Sequence, residues 1–206
     1  MVPQGRGPGS AARRLALLMP TLYLVRHGRA AAGWNVDPDP ALDDLGRRQS
    51  VDVAETLAPL GPLALFTSPL RRCRETSQPL ASRWGIEAVV EPRVAEIPSP
   101  EGHTLETRID WLRSAMAGTW SQVIASDGPR YSAFRDELLA SLAAIETDAV
   151  VFSHFIAINV VIGAATGDDR MVIASLDNCS VTTVTSDRRG GFTIDRIGNE
   201  ADTLIR

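Results

Sequence analysis

The sequence predicts an α/β sandwich with a mostly parallel sheet and an antiparallel end. Two observations carry this. Short apolar, β-favouring runs at positions 22–25, 63–66, 86–90 and 149–152 alternate with segments of helical spacing, as parallel strands joined by crossover helices do. The last two strands, 180–185 and 192–197, are separated only by Asp187-Arg188-Arg189-Gly190-Gly191, which has the glycine chemistry of a hairpin turn.

A chain of 206 residues with 44% hydrophobic and 22% charged residues is ordinary for a globular protein. The expected organisation is a disordered leader over 1–19, rich in Gly, Pro and Arg, followed by a single domain over 20–206. The apolar stretch at 15–18 is short and runs directly into Pro20, which argues against a signal peptide and for Met19 as an alternative start. A net charge of −4 argues against nucleic acid or a membrane surface as partner. All 21 basic residues are arginines, which is read as coding bias rather than function. No apolar run is long enough to span a bilayer. Cys73 and Cys179 lack metal-ligand spacing and read as reduced thiols, which points to a cytoplasmic location. No cofactor or metal is expected, and a homodimer is an open reading.

The first strand stops at Arg26-His27-Gly28. Ligands of α/β proteins bind beyond the carboxyl ends of the strands, so this corner delivers a cation and an imidazole to that edge. The segment 30–41, with its two Asp-Pro pairs, is loop chemistry. A helix then opens with Asp43 or Asp44 as N-cap and Val51, Ala54, Leu57 and Ala58 as its apolar face, and ends at 59–62. The strand at 63–66 leads into Thr67-Ser68-Pro69 and the arginine-rich stretch 70–76. Ser68 is the expected N-cap, with Pro69 in the first turn. Arginines in that first turn oppose the helix dipole, so one of them is expected to hold an anion.

After the strand at 86–90 comes an irregular segment, 93–96. Positions 104–124 have helical character, with Leu105, Ile109, Leu112 and Met116 on one stripe and Trp111 and Trp120 adding bulk. A further helix spans 131–145. Together these are expected to form a helical lid insertion over one edge of the sheet. The apolar strand 149–152 ends at Ser153-His154, followed by an apolar helix over 155–165 closed by Gly167.

Arg26-His27, Arg72 and His154 thus gather at strand ends as a phosphate pocket. Two arginines can neutralise phosphoryl oxygens, a neutral imidazole can attack phosphorus, a second histidine can donate a hydrogen bond, and a carboxylic acid should protonate the leaving alkoxide. His103 reads as a surface residue. Arg71 and Arg74 read as solvated helix arginines. Arg108, Arg113 and Arg130 are candidates to read the non-reacting part of an anionic substrate.

These residues resemble the histidine phosphatase superfamily, which includes the cofactor-dependent phosphoglycerate mutases. The resemblance rests on Leu24-Val25-Arg26-His27-Gly28, on positions 42–46 with Gln49, on positions 68–76, on Val151-Phe152-Ser153-His154 and on Asn178-Cys179-Ser180-Val181. It implies a three-layer α/β/α sandwich of the phosphoglycerate mutase-like type. It implies His27 as the phosphorylated nucleophile, Arg26 and Arg72 as phosphate clamps, His154 completing the pocket with the backbone N–H of Phe155, and Glu96 as proton donor. Two features depart from the family pattern. Phe155 stands where the family usually has glycine, which narrows the pocket or makes it more apolar. The usual Gly-x-x-Glu-Gly pattern after the acid is replaced by positions 97–102, which leaves Glu101 open as the alternative acid.

The reading is a phosphatase of the histidine acid phosphatase type, hydrolysing a small phosphorylated substrate through a covalent phosphohistidine. A mutase with the same pocket is the first rival, disfavoured because the modest stretch from Glu96 to Ala149 carries no recognisable mutase lid motif. A non-catalytic module that binds phosphate or a phosphoprotein is the second.

Overall fold

The computed structural model describes residues 19–33, 36–104 and 107–201. The predicted leader through Leu18, and Leu105 of the predicted helical stripe, lie outside the described residues. The strands are β1 (Thr21–Arg26), β2 (Ala64–Thr67), β3 (Val89–Val90), β4 (Ala149–Ser153), β5 (Val181–Ser186) and β6 (Phe192–Arg196). They form one six-stranded sheet in the order β3-β2-β4-β1-β5-β6. The pairs β2–β3, β2–β4 and β1–β4 are parallel, whereas β5 and β6 are added antiparallel. This is the mostly parallel sheet with an antiparallel end that the sequence predicts.

Helices cover both faces. On one, α1 (Asp44–Leu57) and α2 (Arg71–Trp84) pack Val53, Ala54, Leu57 and Leu80 against Val25, Leu65, Val150 and Phe152. On the other, α5 (Arg130–Ala143) and α6 (Phe155–Thr166) pack Leu138, Leu142, Ile158 and Val161 against Leu24 and Val151. β4 is buried along its whole length, as a parallel strand covered on both faces must be. The result is a three-layer α/β/α sandwich.

The remaining helices, α3 (Arg108–Met116) and α4 (Trp120–Asp127), complete the helical insertion between β3 and β4. Its stripe is broken at Gly118, and Thr119 restarts it with a capping box to Gln122. Trp111 stacks on Tyr131 at 5.3 Å, and Trp120 meets Phe134 at 6.1 Å. The last helix of the insertion, α5, is not over the sheet edge. Leu138 and Leu142 set it on the sheet face itself.

Two local expectations are corrected. Val51 of α1 is 42% exposed and Val53 is buried in its place, because Ser50, Val53, Ala54 and Leu57 are the residues that share one face at 3.6-residue spacing. Ser68 is not the N-cap of α2. Pro69 disfavours helical geometry at Ser68 before it, and Leu70 is extended, so Leu70 is the cap position and the helix starts at Arg71. Asp43 is the N-cap of α1, accepting from the Gly46 amide at 2.7 Å. Among the described residues no helix is long and apolar enough to cross a membrane.

The register fixes what lies at the carboxyl-terminal edge of the parallel strands. Arg26 pairs with Ser153 and Thr67 with Phe152, so β1, β2 and β4 end at a common level. The next residues, His27, His154 and Ser68, therefore project from adjacent strands onto one edge. The segment after β1 passes so close to α1 that a Cβ on Gly28 would lie 2.6 Å from the Gly46 carbonyl oxygen, and a Cβ on Gly46 would fall on the carbonyl oxygen of Arg29. Alanine in a helix is ordinarily more stable than glycine. Here the sign reverses: Gly46→Ala is expected to lower the stability read from urea denaturation by about 1–3 kcal/mol, the usual cost of forcing atoms into a packed site.

Candidate active site

The corner after β1 is braced from three sides. The His27 amide donates to the Ser153 carbonyl at 3.1 Å, and the Cys179 amide donates to the Arg26 carbonyl at 3.0 Å. The Asn178 side-chain amide donates to the His27 carbonyl at 2.9 Å. The Gly28 amide donates to Thr76 Oγ1 at 3.0 Å, and the Arg29 amide donates to Gln49 Oε1 at 2.9 Å. Glu75 accepts from the Leu42 amide at 2.7 Å. Thr76, Gln49, Asn178 and Glu75 carry no chemistry in the sequence reading. Their work is to hold the backbone that aims His27.

His27 is 8% exposed, and its Nδ1 lies 2.8 Å from the Gly28 carbonyl oxygen. A carbonyl only accepts, so Nδ1 carries the proton and Nε2 keeps its lone pair. Burial and the adjacent Arg72 and Arg26 guanidiniums hold the His27 pKa well below the usual histidine value. The imidazole is therefore neutral, and its free nitrogen is nucleophilic.

Both arginines are nearly out of water, Arg26 at 8% and Arg72 at 4% exposure. Arg26 donates from Nη1 to the Leu176 carbonyl at 2.5 Å, and its guanidinium lies over the Phe155 ring at 4.9 Å. Burial lowers its pKa to about 10, with Glu96 and Asp177 acting the other way, so it stays charged at neutral pH. Arg72 donates from Nη2 to His154 Nδ1 at 3.2 Å. Its Nη1 is buried with no hydrogen-bond partner among the described residues. A buried, unpaired guanidinium donor is costly unless an anion takes it. Phe155 thus stacks on the Arg26 cation, forming an apolar wall where glycine would leave the guanidinium open.

Glu96 lies with these groups. Its carboxylate accepts from the Ile97 amide at 3.0 Å and from the Ile156 amide, in the first turn of α6, at 3.4 Å. Burial pushes its pKa above the usual carboxylate value, opposed by those hydrogen bonds and by Arg72 and Arg26. Glu101 is exposed and pairs with Arg130 at 3.1 Å, away from both buried arginines. The structure brings Arg26, His27, Arg72, Glu96, His154 and Phe155 together and leaves Glu101 out. His103 is exposed. Arg71 pairs with Glu75, and Arg113 with Asp110, on the surface. Arg108 alone of the three candidate specificity arginines is buried. It donates to Ser99 Oγ at 3.3 Å, and burial and the charge of Arg72 lower its pKa. Cys73 and Cys179 are free thiols.

A family model of the histidine phosphatase superfamily, branch 1, matches residues 22–200. The chain belongs to this superfamily. Among its relatives, a probable phosphoglycerate mutase of Erwinia tasmaniensis is 27% identical over 185 residues, covering 79% of this chain and 83% of the mutase. A glucosyl-3-phosphoglycerate phosphatase of Mycolicibacterium vanbaalenii is 37% identical over 79 residues, 36% of this chain and 35% of that protein. The match to a probable phosphoglycerate mutase of Cronobacter sakazakii spans about half of that protein's length, 50%, at 31% identity over 48% of this chain. The solved mycobacterial glucosyl-3-phosphoglycerate phosphatase shares the fold, with a TM-score of 0.68 at 24% identity over 88% of this chain and 100% of that one. A phosphoglycerate mutase of Bacillus anthracis superposes with a TM-score of 0.66 at 18% identity, over 90% of this chain and 95% of that one. The phosphoglycerate mutase-like sandwich is thus common to phosphatases and mutases of the superfamily.

Burying two neutral histidines gives folding a pH dependence of known sign. His27 and His154 have depressed pKa values in the folded chain. The unfolded chain takes up protons near about pH 6.5 while the folded one does not, so stability falls as the pH drops below that value. Urea midpoints measured from pH 8 to 5 should decline on the acid side, and the decline should be shallower in His27→Gln.

Proposed function

We propose that this protein is a phosphatase that hydrolyses small phosphomonoesters through a covalent phosphohistidine on His27. The observation that carries the reading is a neutral imidazole with a free Nε2 lone pair beside two buried guanidiniums, one of which has an unpaired buried donor. Such a site binds a dianion and presents it to a nucleophile.

In the first step Arg26 and Arg72 hold the equatorial phosphoryl oxygens, and His27 Nε2 attacks phosphorus in line with the ester oxygen. The N–P bond forms, the P–O ester bond breaks, and the protonated Glu96 gives its proton to the departing alkoxide. In the second step the Glu96 carboxylate takes a proton from water as that water attacks the phosphohistidine. The N–P bond breaks, inorganic phosphate leaves, and both residues return to their starting forms. The raised Glu96 pKa keeps a fraction protonated as donor, and the lowered His27 pKa keeps the nucleophile unprotonated in the same pH range.

The similarity to mutases over most of their length supports a second reading, in which the phosphoryl group passes from His27 to another hydroxyl of the bound substrate. Hydrolysis is preferred because α5, the longest helix of the insertion among the described residues, is committed to the sheet face rather than to excluding water from the pocket. The free Cys73 and Cys179 support a cytoplasmic location.

Phosphate release from an aryl and an alkyl phosphomonoester tests the proposal. His27→Ala should abolish release from both. Glu96→Gln should slow the alkyl ester by about 10²–10⁴-fold, the range for a general acid, and the aryl ester much less, because its leaving group needs no proton. For the alkyl ester, wild-type activity should be highest on the acid side of neutrality and fall as rising pH removes the Glu96 proton. Transfer to a second hydroxyl of phosphoglycerate without phosphate release would favour the mutase.

A further inference from the structure

From Phe155 to Ala165, α6 is apolar except for Asn159, which is fully buried. A polar side chain in such a run is costly unless its donors and acceptors find partners. Here they all do. Asn159 Nδ2 donates to the Phe155 carbonyl one turn back at 3.0 Å and to the Ala174 carbonyl at 3.1 Å. Its Oδ1 accepts from the Ile173 amide at 2.8 Å and from the Ala174 amide at 2.9 Å. Backbone amides only donate and backbone carbonyls only accept, so these partners also settle which end of the side chain is oxygen.

The two elements joined by Asn159 both reach Arg26. The first turn of α6 carries Phe155, whose ring lies under the Arg26 guanidinium at 4.9 Å. The segment 173–176 ends at Leu176, whose carbonyl accepts from Arg26 Nη1 at 2.5 Å. Asn178 and Cys179 follow directly and hold the carbonyls of His27 and Arg26. The guanidinium is thus fixed between a ring and a carbonyl that come from separate stretches of chain, and Asn159 ties the two together. The Ser175 and Asp177 amides are held by the Glu200 carboxylate at 3.0 Å and the Asn199 carbonyl at 2.8 Å, which steadies the segment against residues 199–200 but not against α6.

We propose that Asn159 is a positioning residue for phosphate binding, which acts through Phe155 and Leu176 to aim the Arg26 guanidinium into the pocket. The proposal rests on the reading of Arg26 as a phosphate clamp.

The test is titration of the full chain with inorganic phosphate across a double-mutant cycle. Asn159→Ala should weaken phosphate binding about tenfold or more, the usual cost of losing one charge-assisted contact. Arg26→Met, which keeps the stem and removes the guanidinium, should weaken it too, and adding Asn159→Ala to Arg26→Met should cost nothing further. A merely structural Asn159 would cost the same in both backgrounds. That additivity would overturn the proposal, and so would wild-type affinity in Asn159→Ala. Asn159→Ser is the milder second variant. Its hydroxyl bonds back to the Phe155 carbonyl but is too short to span to residues 173–174, so it should repeat the loss. Val161→Ala, a core truncation on the same helix, should lower the urea midpoint and leave phosphate affinity unchanged; an equal weakening would make the effect one of stability alone and sink the proposal.

Coupling is reciprocal, so the wild-type chain supplies a readout that needs no variant. Phosphate saturation should slow hydrogen exchange at the Ile173 and Ala174 amides more than along β6, and slowing no greater than that of β6 would count against the tie. These outcomes separate from those for hydrolysis. A chain with the expected coupling that releases no phosphate from any ester loses the phosphatase reading and keeps this one. His27-dependent hydrolysis with additive losses does the reverse.

Discussion

Arg26 and Arg72 are held almost out of water, side by side with two neutral imidazoles, and Glu96 and Asp177 partly offset the charge of Arg26. Burying two cations side by side is costly even where carboxylates partly offset them. The parallel register of β1 and β4 creates the problem by ending both strands at the same level. The apolar sandwich on either side supplies the stability that permits it. The braces at Gln49, Glu75, Thr76 and Asn178 keep the corner from relaxing into a geometry that would hydrate the charges. In the proposed phosphatase, a bound phosphoryl dianion offsets that cost.

The same charge arrangement divides labour between groups of the same type. His27 and His154 sit 5.2 Å apart, ring centre to ring centre, yet their partners differ. A backbone carbonyl on Nδ1 leaves the His27 Nε2 lone pair free. His154 Nδ1 instead faces the Arg72 guanidinium at 3.2 Å. Arg71, Arg72 and Arg74 lie within about one turn of helix, but of the three only Arg72 is buried. Glu96 and Glu101 differ likewise: five residues apart, one is anchored by amides beside the arginines and the other is in solvent.

Much of this was legible in the sequence. The run of β-favouring residues into Arg26-His27-Gly28 is a local signal, and so is the uninterrupted apolar run of β4 into His154. The corner glycine, the strand ends and the order of the motifs were enough to nominate Arg26, His27, Arg72, His154 and Glu96, all of which the fold gathers. What the sequence hid is tertiary. Ser68 looks like a helix cap because serine before proline commonly is one, and its contact with a ring 86 residues away leaves no local trace. Val51 and Val53 are equivalent by composition and are told apart only by the phase of α1 against the sheet. The break at Gly118 and the descent of α5 onto the sheet depend on long-range packing of Leu138 and Leu142, which periodicity alone cannot orient.

The central claim is that phosphate passes through a covalent bond to His27 Nε2. The most direct measurement is to quench the protein in base during turnover of a radiolabelled phosphomonoester and map the labelled residue by mass spectrometry. The account predicts an acid-labile, base-stable phosphoryl group on His27 that is absent from His27→Ala and decays to inorganic phosphate at the rate of turnover. Steady hydrolysis with no label on His27, or label that persists in His27→Ala, would contradict it.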